Sequence, residues 1–460
     1  MPGYLPEEVN VGYVTNGVHY PTWAAPEWKA IHAKVFGPEF AIPHYDKKSF
    51  EGIYKIDDSE IWSTRCLLRK RLISKVKDIL SDTPATAHYS PRQIVKIKKT
   101  LRDDVLTIGF ARRFATYKRA TLLFRDLERL NQIVNNPDRP VQFLFAGKAH
   151  PADKAGSDLI KQIVEISKMP QFIGKIVFVP NYDITLAKYL VQGVDIWMNT
   201  PTRPQEASGT SGEKAVMNGV MHFSVLDGWW VEGYKEGAGW ALPMERTYDN
   251  QEYQNDLDSA TIYNIIENDI APAYYSKEMG KEYSTNWIRI IKETIAKVAC
   301  NFTTNRMMED YLERYYCPLA ERRDSLVDKD YLKARENAAW KKRMYRIWPL
   351  IEIRQFDKID MAANKLRLGE EHLAKAEVYL ADALPEDIGI ECVIAAQDAR
   401  GEYHICEIHE FEVVSFENGV ATYRADITPE HAGSYQVATR IFAKNPCMAH
   451  RQDFELVKWL

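Results

Sequence analysis

Between Leu101 and Gly228 short, β-branched apolar runs alternate with helical stretches, and nothing else in the sequence limits the fold so strongly. The runs DVLTIGFA, VQFLFAG, KIVFVP, DIWMNT and HFSVLDG read as buried strands. The intervening TYKRATLLFRDLERLNQIV, DKAGSDLIKQIVEISKM, DITLAKYLVQG and EKAVMNGV carry apolar residues at three- and four-residue spacing, the period of a helix. Strands joined through helices in this way need crossover connections. That predicts a parallel sheet, an α/β fold of doubly wound type. Loops that follow the strand C-termini of such a sheet share one edge, where ligands bind.

The flanks have a different texture. Val9 to Thr15 reads as a strand, and from Trp23 to Thr100 the pattern is mostly helical, interrupted by the polar connection SDTPATAHYSPRQ. A second helical region is expected from Asp258 to Leu366. From Ala374 to the end the period becomes two, with turn signals DARGE and ENG, which predicts an antiparallel β-sandwich. The expected divisions are 1–100, 101–300, 301–370 and 371–460, in keeping with two or three domains for 460 residues. Six cysteines without a CxxC pair fit no zinc pattern and read as free thiols of a reducing cytoplasm. A net charge of -4, with both signs interspersed, argues against a nucleic-acid surface. No apolar run is long enough for a membrane span, so no membrane partner is expected and a cytoplasmic location is.

Two loops at strand C-termini carry chemistry. GFARRFATYKRA places Arg112, Arg113, Lys118 and Arg119 within eight residues. Guanidinium forks match phosphate oxygens and Lys adds a point charge. Read as a helix start, these cations oppose the helix dipole, and a bound anion would relieve that conflict. TPTRPQEASGTSGEKAVMNG holds Ser208, Gly209, Thr210, Ser211 and Gly212 just before a helix, a turn able to present backbone N–H groups to a phosphate. Lys214 follows on the first helical turn. An amine among fixed dipoles and cations can have its proton affinity lowered and act as a nucleophile towards carbonyls.

These residues resemble the α-glucan phosphorylase family. EASGTSGEKAVMNG looks like the signature E-A-S-G-T-[GS]-x-x-K of that family, and ARRFATYKR resembles its second anion motif. FAGKAHPAD, VFVPNYDITLAKYL, SVLDGWWVEGY and VTNGVHYPTW are similar to further family stretches, most like the short bacterial and archaeal type. The resemblance runs from Gly3 to at least Ile351 and more loosely through the β domain.

The resemblance implies a Rossmann-like domain, the second half of a two-Rossmann GT-B fold, with residues 1–100 a remnant of the first catalytic domain plus a helical linker. It implies pyridoxal 5′-phosphate attached to Lys214, its phosphate held by Thr210 and the backbone of Gly209 and Ser211 with help from Arg112, and Tyr182 against the cofactor. Arg113 and Lys118 would bind the substrate phosphate. Glu206 would bind sugar hydroxyls, Ser208 and Gly209 would line the same pocket, and Asn16 and His19 would lie near the glucosyl site. The implied reaction is retaining, reversible phosphorolysis of an α-1,4-glucan by inorganic phosphate to glucose 1-phosphate. No metal is implied. The oligomeric state stays open, a homo-oligomer included.

The sequence departs from the family in two ways. Glu213 stands where the short type commonly has Met, and is expected either to pair with Lys214 or to face solvent. The first Rossmann domain, with its glycine-rich loop, is not found, so an incomplete active site is expected. A nucleotide-sugar-dependent glycogen or starch synthase is the alternative enzyme. Its loop has two Glu with seven residues between them, whereas Lys214 holds the second position here, and Glu213 misses it by one residue, about 100° around a helix. A non-catalytic, cofactor- or glucan-binding fragment is the other alternative.

Overall fold

The computed structural model describes residues 3–37, 47–82, 89–243, 248, 250–356, 369, 371–398, 401–428 and 433–460. They form two compact units, Val14–Leu312 and a second made of Met1–Tyr13 with Glu313–Leu460.

The first unit is built on six parallel strands: β1 (Leu106–Ala111), β2 (Val141–Ala146), β3 (Ile176–Val179), β4 (Ile196–Asn199), β5 (Met221–Val225) and β6 (Trp240–Leu242). Every residue of β1 to β5 is buried. Helices cover both faces of such a sheet, which is why these strands read as continuous apolar runs. The spatial order is β3-β2-β1-β4-β5-β6, so the winding reverses between β1 and β4. Open α/β sheets bind ligands at this switch point. The two loops singled out above leave β1 and β4, one on each side of it.

The long basic helix Asp58–Asp82 packs against the helix Ile184–Gly193. Two of its arginines are fully buried. Arg65 donates to the carbonyls of Gln192 at 2.6 Å and Asn218 at 3.1 Å, and Arg69 donates to Asp195 at 2.7 Å and to the carbonyl of Asp103 at 2.6 Å. They cap loop carbonyls at the sheet edge instead of meeting solvent.

The second unit is a sandwich of two antiparallel four-stranded sheets. One has the order β10-β9-β13-β14 (Tyr403–Glu410, Ile388–Gln397, Tyr435–Ala443, Val457–Trp459). The other has the order β11-β12-β8-β7 (Glu412–Glu417, Val420–Ile427, His372–Tyr379, Glu352–Phe356). Val378, Ile390, Cys392, Tyr423, Ile427 and Ile441 share one core between the sheets. Arg440 of β13, fully buried, donates to Glu391 at 2.5 Å, to Glu8 at 2.8 Å and to the carbonyl of Gly3 at 3.0 Å, which ties the first residues of the chain to this unit.

Four expectations are corrected. Val9 to Thr15 is no strand: Val11 and Tyr13 are 77% and 71% exposed, and among the described residues no neighbouring strand completes a ladder. The helix expected from Thr116 begins only at Leu127, where the Asp126 side chain accepts from the Arg129 N–H at 2.9 Å. Before it run two 3-10 turns, Thr116–Lys118 and Leu122–Phe124. The second helical region stops at Leu350, beside Pro349, and 352–356 is strand; residues 357–366 of that expectation lie outside the described residues. β6 was not anticipated. Of the expected connection at 81–93 and the DARGE turn, residues 83–88 and 399–400 also lie outside the described residues. All six cysteines are free.

Candidate active site

The β1 loop is fixed by its own cation. Arg119, buried and left-handed with φ 48°, donates to the carbonyls of Thr200 and Pro201, both at 2.9 Å, and pairs with Asp258 at 2.7 Å. Thr202 N–H also donates to the Tyr117 carbonyl at 2.7 Å. These bonds zip the β1 loop to the β4 loop across the switch point. The expected conflict of cations with a helix dipole therefore does not arise, because Arg112 to Arg119 lie in a loop and a 3-10 turn, ahead of the helix.

Within the zipped loops, Glu206 accepts from Arg112 at 3.2 Å and also from Lys118. Lys118 and Glu206 are 6% and 8% exposed, so the pairing is largely out of water. Asn199, the last residue of β4, accepts from Arg112 and donates to Ser224 at 3.1 Å. Burial lowers the Arg112 guanidinium, with Glu206 opposing. Burial also raises the half-buried Tyr182 phenol, with the Arg112 charge opposing. Arg113 is exposed and makes no hydrogen bond or ion pair among the described residues.

The small-residue turn leads into the helix Thr210–Val216. Gly209 has φ 91° and ψ 39°, a left-handed conformation that costs side-chain-bearing residues about 1–2 kcal/mol. Its missing Cβ would lie 3.4 Å from Trp229 and 3.6 Å from the Glu206 Cγ, so the turn lies directly against the carboxylate that holds the cations. Asp227 fixes the approach by accepting the Glu206 N–H at 2.9 Å, and the Trp229 N–H donates to the Ser208 carbonyl at 2.8 Å. Trp197 donates to the Ser211 hydroxyl at 3.1 Å, which leaves that hydroxyl's own hydrogen free to be given.

The loop around Asn16 reaches the same turn. Asn16 donates to the Ser208 hydroxyl at 3.2 Å. The loop is anchored by Val18, whose N–H donates to Phe302 at 2.9 Å and whose carbonyl accepts from Thr304 at 3.0 Å. His19 is exposed and bonds only locally, to Thr22 at 2.7 Å.

Lys214 is half-buried, with its amine 4.2 Å from the centre of the Trp23 ring. Burial lowers its proton affinity, with Glu213 opposing. Arg112 and Lys118 direct their hydrogen bonds to Asn199 and Glu206, away from Lys214. Glu213 is a correction: it neither faces solvent nor pairs with Lys214. It is completely buried, and neither carboxylate oxygen has a hydrogen-bond partner among the described residues.

The structure thus brings together Arg112, Lys118 and Glu206, with Tyr182 and Gly209 beside them, and joins Asn16 to Ser208. Asn199, Asp227 and Trp23 were missed by sequence reasoning. Asn199 had a signal, a polar residue closing an apolar central strand at the ligand-binding edge. Asp227 and Trp23 lay within quoted motifs, but nothing in their spacing assigned them a contact.

Fold and site define a doubly wound α/β protein with two cations paired to one carboxylate and a half-buried lysine along one sheet edge. Residues 90–239 match the Carbohydrate phosphorylase family, and residues 348–460 match the Glycogen phosphorylase C-terminal domain. A glycogen phosphorylase of Mycobacterium tuberculosis is 33% identical over 456 residues, 99% of this chain and 52% of that protein. A maltodextrin phosphorylase of Thermococcus litoralis is 34% identical over 458 residues, 98% of this chain and 52% of that protein. A glycogen phosphorylase of Aquifex aeolicus is 43% identical over 310 residues, 67% of this chain and 44% of that protein. The chain belongs to the α-glucan phosphorylase family. It spans about half the length of the relatives it matches. Among the described residues no helix is long and apolar enough to cross a membrane.

Proposed function

We propose that this chain supplies the cofactor- and phosphate-binding face of an α-1,4-glucan phosphorylase, which transfers a terminal glucosyl unit to inorganic phosphate and releases glucose 1-phosphate. The observation that carries the reading is the convergence, at one switch point, of buried Arg112 and Lys118 on Glu206, with the left-handed Gly209 turn against that same carboxylate.

The residues present fit pyridoxal 5′-phosphate. Lys214 is an amine partly stripped of water and of proton affinity, as a nucleophile towards an aldehyde needs to be. Ser208 to Gly212 form a cradle of small residues opening onto the Thr210 and Ser211 N–H groups at the start of the helix, while the Gly212 N–H donates to the Gly209 carbonyl at 3.1 Å. When bound, the cofactor would supply a second phosphate, able to exchange a proton with the substrate phosphate.

The chain's own residues then have these tasks. Lys214 would hold the cofactor covalently, and the Trp23 ring fixes the direction of that amine. Thr210 and the Gly209 and Ser211 backbone would hold the cofactor phosphate, with help from Arg112, and Tyr182 would pack against the cofactor. Lys118 and Arg113 receive the substrate phosphate; two phosphates in contact repel strongly where water is scarce, so fixed cations there lower the barrier to their meeting. Glu206 keeps Arg112 and Lys118 neutralised until an anion displaces it, and can then turn to sugar hydroxyls. Asn16 and Ser208 present polar groups to the glucosyl unit. Because the chain covers half of its relatives' length, the reading assigns it this face and no complete glucan site.

The test is cofactor binding. The chain supplied with pyridoxal 5′-phosphate should gain an absorbance that survives gel filtration, and Lys214→Ala should not. Glucose 1-phosphate formation from an α-1,4-glucan should appear when the remaining half of a relative is supplied. A colourless chain, or a Lys214→Ala variant that keeps the colour, refutes the reading.

A further inference from the structure

Glu213 is an ionisable group buried in the interior of the sheet-bearing unit. It is 0% exposed, and neither oxygen has a hydrogen-bond partner among the described residues. Its neighbour Gly212 packs so closely that an added Cβ would lie 2.6 Å from His222 and 2.9 Å from Trp229.

Three charged groups face Glu213. Arg306 directs four of its five N–H donors elsewhere: it donates to the carbonyls of Asn301 at 2.7 Å, Thr15 at 2.7 Å and Asn16 at 3.2 Å, and to Asp310 at 2.8 Å. Glu232 accepts from Thr15 at 2.5 Å and has the same sign as Glu213. Lys214 is the third, and its amine lies over Trp23. His222, on β5, is held neutral by burial, down to about 3, and Lys297 of the adjoining helical turn is paired with Glu293 at 2.5 Å. An isolated carboxylate in such a place is costly, and the group stays protonated instead. Burial pushes the Glu213 carboxyl up to about 8, with Arg306 and Lys214 opposing.

We propose that Glu213 is a positioning residue that tunes the proton affinity of Lys214: as a buried acid without a hydrogen-bond partner among the described residues it leaves that affinity low, and a negative charge at the same place raises it. This rests on the assignment of Lys214 as the site of aldehyde attachment. In that step the uncharged amine adds to the aldehyde carbon and water leaves. A proton held on the amine must first go to solvent, and a negative Glu213 makes that loss harder. Adjacent residues on a helix point about 100° apart, so the influence acts through the field without direct proton transfer. The two groups then titrate as a coupled pair.

The experiment is attachment of pyridoxal 5′-phosphate to the full chain at a series of pH values. Attachment is trapped by borohydride reduction and located by peptide mass spectrometry, for the unsubstituted chain, Glu213→Gln, Glu213→Met and Lys214→Ala. Label at residue 214 should titrate in one step in Glu213→Gln and Glu213→Met. In the unsubstituted chain it should titrate over a wider range reaching higher pH. Attachment at pH 9 should be up to about tenfold slower than in the variants, the effect of one unit of coupling, while at pH 6.5 all three should agree. Superimposable profiles overturn the proposal while leaving Lys214 as the attachment site. Label absent from residue 214, or undiminished in Lys214→Ala, overturns the attachment assignment and the proposal with it.

Discussion

Replacing Glu213 by Gln should remove a pH-dependent penalty from the stability of the sheet-bearing unit. In the folded chain burial pushes this carboxyl up to about 8 from an ordinary value of 4.5. Below pH 4.5 both folded and unfolded chains carry the proton, and nothing is lost. Between these limits the unfolded chain releases it while the folded chain must keep it, so stability falls as pH rises. Above pH 8 the loss is complete. At about 1.4 kcal/mol per pKa unit the total is about 5 kcal/mol, of which about 3 kcal/mol has accrued by pH 7. No discount for solvent screening applies, because the group is fully buried. A Gln side chain also leaves a buried amide without partners, but that cost does not depend on pH. The slope, and not the absolute stability, carries the test. Urea unfolding of the chain and of Glu213→Gln at half-unit steps from pH 4.5 to 9 should give a stability difference that grows in favour of the variant up to pH 8 and then levels. A difference constant with pH would refute the burial argument, and with it the physical basis of the coupling to Lys214.

Other substitutions read separate parts of the architecture. Gly209→Ala should cost about 1–2 kcal/mol through backbone strain, since the contacts its methyl would make are of ordinary length; unchanged stability in urea would mean the turn does not require its left-handed residue. Glu206→Gln should tighten inorganic phosphate by about tenfold in calorimetric titration, because Arg112 and Lys118 lose the carboxylate that a phosphate must displace; weaker phosphate binding would show that Glu206 assists the anion. Arg440→Met should destabilise the sandwich by about 3–5 kcal/mol, because Glu8 and Glu391 would be left buried, with Arg451 alone to offset them; a loss under about 1 kcal/mol would remove the network as a stabilising element.

The sheet was legible because a parallel strand buried on both faces has only one kind of sequence. LTIGFA and VQFLFA show it directly. The errors share a cause, which is that local pattern is silent about tertiary partners. Val9, Val11 and Tyr13 alternate like a strand, but a strand exists only with a neighbour to pair with. Thr116 to Phe124 has helical spacing, but Arg119 is drawn across the switch point to the carbonyls of Thr200 and Pro201, and its left-handed backbone breaks the helix. Within the site, motif order pointed to Arg112, Lys118, Glu206 and the Gly209 turn. It could not show that Glu206 neutralises two of the cations. Nor could it show that Glu213, flanked by small and charged residues like any surface helix position, points into the interior.

These two carboxylates place the site's electrostatics on a common footing. Arg112 and Lys118 are largely withdrawn from water, and cations so placed would destabilise the fold if nothing opposed them. Glu206 supplies that opposition at the one position where it touches both. Under the proposed function, an arriving anion would therefore exchange with a charge already present. On the lysine side the arrangement is reversed. Lys214 keeps no carboxylate partner among the described residues, and the acid nearest to it in sequence is buried where it holds its own proton. Under the proposed function, a neutralised cation pair would serve reversible binding of phosphate, whereas an unpaired amine would serve a covalent bond. Glu206 and Glu213 thus divide the turn they flank into an exchange side and an attachment side.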